Sequence, residues 1–295
     1  MPIEDFIINV YCCVADTYPQ LVKQPLRSRG FQPKLTDSEL ITMELIGEFM
    51  GQDEDKGIWR YFRNHWHHWF PNLGSRSNFV KQSAALYTVK QEMLFYFSKQ
   101  LGVFNDQIHM VDGFPIPVCK ITRSGRSHNF KGEANYGYCA AKDEKYYGFK
   151  GHLIVNFEGI VTNYTLAAAN IDERNVVEEI TQNFEGLLIG DKGYIRPQLK
   201  QDLAKRSIDL ETPLRKNMHE DRPRDFVQKL MKVRRRVETV IGQLVGRFNI
   251  EKVWAKDLFH LKIRFIRKLL SHTMGVYLNR MLGREAIQFE GLVEI

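Results

Sequence analysis

The sequence has 295 residues, 43% of them hydrophobic and 26% charged, with a net charge of +7. That is enough apolar chain for one large domain or two smaller ones, which excludes a disordered polypeptide. No run of 18 apolar residues occurs, and the apolar "FIINVYCCVA" follows Glu4 and Asp5 rather than basic residues, which excludes a membrane-spanning helix and a secretory signal; a cytoplasmic protein is expected.

The first hundred residues read as helices. In "TDSELITMELIGEFM", Thr36 and Glu39 have the spacing of a capping box ahead of an apolar periodic run. "GIWRYFRNHWHHWF" places Trp59, Phe62, Trp66 and Trp69 three and four apart, one helical face that is expected in the core. The interleaved His65, His67 and His68 have no cysteine or carboxylate beside them, so a metal site is not expected there. "GSRSNFVKQSAALYTVKQEMLFYFSKQLG" opens on serine start signals and stops at Gly102. Short helices around a Ser, Arg and Asn-containing turn are compatible with a helix-turn-helix. The reading is a helical, DNA-binding domain over residues 1–104.

The pattern changes near Phe104. "DQIHMVDGFPIPVC" reads as a short strand ended by Gly and Pro, and residues 120–145 as a long, basic, polar excursion. "YYGFKGHLIVNF" and "IVTNYTLAAA" around "EG" form a hairpin; "DERNVVEEITQNF" is helical and "GLLIGDKGY" a buried strand. "RPQLKQDLAKRS" is a helix with Pro197 near its start, and "IDLETP" a short strand. This alternation predicts an α/β fold with a mixed sheet flanked by helices over residues 105–295. Next comes a long helix from about Arg224 to Phe248, with Phe226, Leu230, Val233, Val237, Val240 and Leu244 on the stripe facing the sheet. In the last helix Phe259, Ile263, Ile266, Leu270, Met274, Tyr277 and Met281 share one face, and Lys262, Arg264, Arg267 and Lys268 form a basic outer side. Cys12, Cys13, Cys119 and Cys139 form no CxxC pair and are expected to be buried small hydrophobes.

Charge is concentrated toward the C-terminus. From Arg196 to Arg284, 22 Lys and Arg face 9 Asp and Glu, so the remainder of the chain is net acidic. A local excess of that size suits a nucleic-acid backbone better than a small anion.

Three carboxylates stand out. Asp112 in "IHMVD" and Asp191 in "LLIGD" each end the hydrophobic face of a strand at its carboxyl end, the edge where active sites of open α/β sheets collect. Each alone also reads as an ordinary turn residue, since DG and DKG are turn formers. Glu238 lies on the margin of the long helix's apolar stripe, behind Arg234, Arg235 and Arg236. Its four-residue spacing from Arg234 is also that of a plain helical ion pair. Carboxylates are the ligands that hard ions such as Mg²⁺ or Mn²⁺ require, and two such ions suit phosphodiester cleavage and transfer.

Together "VDGFPIP", "IGDKGY" and "RRRVETVIGQL" resemble the Asp, Asp, Glu signature of DDE transposases from bacterial insertion sequences, over roughly residues 105–282; "YYGFKGHL" looks like the family's second strand. The resemblance implies a ribonuclease H-like catalytic domain in which the first and fourth strands are adjacent and the two aspartates meet. It implies that Asp112, Asp191 and Glu238 are catalytic and hold two Mg²⁺ or Mn²⁺ ions. Where related sequences often carry Tyr and Lys around the final Glu, this chain has Met231 and Val245. Contacts to terminal phosphates are therefore expected from Lys192, Arg234, Arg235 and Arg236, with Arg123, Arg126, Lys131 and Lys150 as further DNA contacts. The implied activity is cleavage at the ends of an insertion sequence and transfer of the 3′ hydroxyl into target DNA. The implied partner is double-stranded DNA bound by a homodimer, at the nucleoid of a bacterial cytoplasm. Two other readings remain: a nuclease of the same fold without joining activity, and a catalytically silent DNA-binding protein.

Overall fold

The computed structural model describes residues 1–27, 32–140, 142–182 and 184–294. They form two compact units: residues 1–97 with 244–250 and 254–295, and residues 98–243 with 251–253.

In the first unit α1 (Ile3–Leu21), α2 (Asp37–Phe49), α3 (Asp55–His65), α4 (Arg76–Ala85) and the start of α5 (Tyr87–Gln100) follow one another. The capping box forms as expected: Thr36 accepts from the Glu39 amide, and Glu39 accepts from that of Thr36. Ser75 caps α4 by accepting from the Asn78 amide. The Trp stripe is only partly core. Helix α3 stops at His65, so Phe62 and Trp66 are buried while Trp69 lies outside the helix and is 37% exposed. The four cysteines are free and none is fully buried, against the expectation of buried thiols: Cys12 and Cys13 lie mid-helix in α1 off its buried face, and Cys119 and Cys139 lie at the ends of their strands.

Helix α2 is buried nearly all round, because α1, α3 and α4 pack on it together with the last helix of the chain, Leu258–Met281. That last helix was expected in the catalytic domain with a basic outer side; it belongs instead to the helical unit, and Arg267 and Lys268 are fully buried. Arg267 bonds Glu48 at 2.6 Å and Asp55 at 2.5 Å, and Lys268 bonds Glu48 at 2.7 Å. Lys90 bonds Glu44 at 2.8 Å, and Arg264 closes the cluster on Asp55. Buried charges persist only when paired in this way. The acids sit on α2 and at the start of α3, so the pairing is invisible in the last helix's own periodicity.

The second unit holds the mixed sheet of an α/β, ribonuclease H-like domain. Its strands are β1 (Ile108–Lys120), β2 (Asn135–Cys139), β3 (Glu144–Asn156), β4 (Val161–Ala168), β5 (Gly186–Ile189) and β6 (Ile208–Glu211). A single short turn of helix, α6 (Ile121–Ser124), follows β1; α7 (Glu173–Ile180) and α8 (Pro197–Ala204) flank β5. The order is β2, β3, β1, β5, β6, with β4 also on β3. β1 runs antiparallel to β3 and parallel to β5, which runs parallel to β6. Val111, Leu188 and Ile154 pack with Val177, Ile180 and Leu203, so α7 and α8 cover one face.

Two details differ from expectation. β1 continues through Gly113, Pro115 and Pro117 to Lys120 instead of ending at them. Its pairing with β5 stops at Met110, so beyond that point one side of β1 is a free edge. Both prolines have the same parity along the strand and direct their missing N–H to that edge, where none is needed. The polar excursion, in turn, contains β2, which pairs with the first half of β3.

The long helix is α9 (Arg224–Gly246), followed by α10 (Leu258–Met281). Leu230, Val237, Val240 and Leu244 are buried, whereas Phe226 is exposed under the guanidinium of Arg222. Among the described residues no helix is long and apolar enough to cross a membrane.

Candidate active site

Met110 pairs with Ile189 at the last parallel step between β1 and β5. Asp112 and Asp191 each follow by two residues, on the same faces as these buried side chains, so they emerge abreast where the parallel pairing ends. The adjacency of the two strands, which the family resemblance implies, is what brings the aspartates together.

Each carboxylate is fixed by a backbone N–H. The Gly113 amide donates to Asp112 Oδ1 at 2.8 Å, and the Gly193 amide to Asp191 Oδ1 at 2.7 Å. Asp191 thereby caps a short 3₁₀ turn, Lys192–Tyr194, whose Tyr194 ring is buried beneath it. Burial pushes the Asp112 carboxyl up to about 7; Asp191 and Glu173 add to the rise, and the Gly113 N–H and Arg234 oppose it. Asp191 is raised as well, chiefly by burial and then by Glu173, against the Gly193 N–H and Arg234. Two neighbouring carboxyls raised together are short of positive charge.

Arg234 supplies part of that charge. From α9 its guanidinium reaches Asp112 at 3.8 Å and also pairs with Glu238. The side chain of Glu238 is 46% exposed, whereas that of Arg234 is 15% exposed. The third carboxylate thus stands at the open rim of the site, tied to it through arginine. Sequence spacing supplied the helical pair; the reach to Asp112 needed the fold.

Of the other expected DNA contacts, Lys192 and Arg235 are exposed and Arg236 is half-buried. Arg123 and Arg126, in α6 and the turn after it, are exposed, as is Lys131. Lys150 differs: it is half-buried and pairs with Glu173 at 2.9 Å.

Glu173 is the site residue that the sequence did not single out. It is the first residue of α7, where Asp172 is the cap. An acid there reads as an ordinary complement to the helix dipole. A Cβ built on Gly113 would lie 3.4 Å from one Glu173 oxygen, and one on Gly193 would lie 3.2 Å from the other. Glu173 therefore reaches between the glycines that adjoin the two aspartates.

Among the described residues no three acidic, histidine or cysteine groups stand as a ready metal cage, with Glu238 drawn to Arg234 and Glu173 to Lys150. The donor chemistry nonetheless fits a hard divalent ion: all the acids are oxygen donors, and the raised carboxyls are groups that a cation would return to the ionised form.

Residues 103–257 match the family model of the transposase DDE domain. A cryo-EM structure of the piggyBac transposase synaptic complex with hairpin DNA aligns with a TM-score of 0.48 and 9% identity, over 96% of this chain and 76% of that one. No curated protein matches the chain. With more than half of its residues inside that family model, the chain belongs to the DDE-domain transposase family.

Proposed function

We propose that this transposase cuts DNA at the ends of its own insertion sequence and joins the freed 3′ hydroxyl to target DNA. The observation that carries the reading is the constellation of Asp112 and Asp191, abreast at the sheet edge, with Arg234 linking Asp112 to Glu238. In the first step a water oxygen attacks the end phosphorus and the 3′ oxygen leaves, taking up a proton. In the second that 3′ hydroxyl attacks a target phosphorus, loses its proton, and displaces the target's own 3′ oxygen.

Asp112, Asp191 and Glu238 would hold Mg²⁺ or Mn²⁺, two ions being the number this chemistry suits. Such ions, when bound, acidify the attacking oxygen and neutralise the departing one. Arg234 orients Glu238 and is placed to neutralise phosphate charge near Asp112. Lys192, Arg235, Arg236, Arg123, Arg126 and Lys131 provide phosphate contacts that set the position of the duplex rather than read its sequence. The helical residues 1–104 recognise the terminal repeats. A homodimer brings two ends together, and the work is done in the bacterial cytoplasm at the nucleoid.

The test is to incubate purified protein with labelled linear DNA carrying the ends that flank its own gene, in Mg²⁺, Mn²⁺ or chelator, beside the Glu238→Gln variant. Metal-dependent nicking plus products longer than the substrate, both lost in the variant, support the reading. Full cleavage by Glu238→Gln removes that residue from the site, and nicking without longer products reduces the protein to a nuclease.

A further inference from the structure

Glu173 opens α7 beside the two glycines that follow the strand aspartates, and its carboxylate is held by Lys150 at 2.9 Å. Its two oxygens border positions beside both aspartates: Oε1 is 3.4 Å from a Cβ built on Gly113, and Oε2 is 3.2 Å from one built on Gly193. The same Gly193 position lies 2.8 Å from Asp191 Oδ1. Glycine at both points leaves the approach to Glu173 open.

A second, independent feature marks this space as polar. His152, paired across the sheet with Gly113, is fully buried, and neither of its ring nitrogens has a hydrogen-bond partner. Its Nδ1 is 3.2 Å from the Gly113 Cβ position, the same point that Glu173 Oε1 approaches at 3.4 Å. A buried imidazole left without a partner is destabilising. A hydrated cation beside Gly113 would supply one, through a bound water.

We propose that Glu173 is a further ligand for the divalent cation of this site, acting with Asp112 and Asp191, and that Lys150 is the counter-ion the metal displaces. This rests on the DDE reading above, which assigns the cation to Asp112, Asp191 and Glu238. The lysine serves two states: it neutralises Glu173 in the metal-free protein and, once released, stands beside the site as a free cation for a DNA phosphate.

The test is Mn²⁺ binding by the full-length protein without DNA, read from the electron paramagnetic resonance signal of the free ion. Glu173→Gln is expected to weaken binding about tenfold or more, as loss of a metal-site group does. Lys150→Met, which removes the competing cation, is expected to tighten it about threefold. A merely structural ion pair predicts the opposite pattern: both variants break the same pair and move binding together, which overturns the proposal. Asp112→Asn separates the two readings. If it loses Mn²⁺ while Glu173→Gln binds as wild type, the role of Glu173 falls and the DDE site stands; if all variants bind as wild type, both fall. Should Glu173→Gln not fold, by circular dichroism, Lys150→Met decides alone: tighter binding supports the displacement, and unchanged or weaker binding overturns it.

Discussion

The guanidinium of Arg234 lies 3.8 Å from the carboxylate of Asp112, joining the long helix to the first strand at the point where the parallel sheet opens. The same group pairs with Glu238, so one side chain sets the distance between the strand acids and the helix acid. Arg234→Met is expected to lower end cleavage by about 10²- to 10³-fold, the scale of losing one preorganised charge from a phosphoryl-transfer site. Binding of end DNA, measured by gel shift, should fall far less. Cleavage at the wild-type rate would reduce Arg234 to a helix-stabilising partner.

Gly193→Ala addresses Asp191 without touching its charge. The new methyl carbon would sit 2.8 Å from Asp191 Oδ1, closer than such contacts tolerate, so the carboxylate must swing away. Thermal unfolding is expected to shift little, because Gly193 is exposed, while metal-dependent nicking drops by an order of magnitude or more. A variant that nicks as fast as wild type would show that Asp191 tolerates displacement.

The buried charges of the helical unit make a stability prediction with no bearing on catalysis. Arg267 is fully buried against Glu44, Glu48 and Asp55. Its replacement by Met leaves these acids short of a partner, an effect of about 3–5 kcal/mol for a buried pair. Lys262, exposed on the same helix, should change stability by less than about 0.5 kcal/mol when replaced by Ala. Urea unfolding of the two variants measures the contrast, and equal effects would contradict the burial of Arg267.

His272 gives the pH prediction. It is buried beside Phe248 and Phe289, and burial pushes its pKa down to about 3 from an ordinary 6.5. As pH falls, the unfolded chain therefore takes up this proton before the folded one does. The stabilisation is complete above pH 6.5 and is lost progressively as pH falls from there toward 3. In His272→Leu the slope of unfolding free energy against pH in that window should be shallower by up to about 1.4 kcal/mol per unit. Parallel slopes in the two proteins would mean that His272 titrates normally.

The sequence by itself determined what local rules govern. Thr36 and Glu39 wrote their capping box, Gly102 its stop, and the alternation of "IHMVD" and "LLIGD" placed Asp112 and Asp191 on the hydrophobic faces of their strands. These depend on residues a few positions apart, so they survive without knowledge of the fold. The tertiary structure decided everything that joins distant segments. It alone drew Arg234 to Asp112, put Glu173 between Gly113 and Gly193, and carried β1 past its prolines along a free edge. Arg267 and Lys268 show the limit most sharply: helical periodicity assigns them to water, and acids some 220 positions earlier hold them inside. A charge's cost of burial is set by its partner, and that partner lies on another element, out of reach of any local pattern.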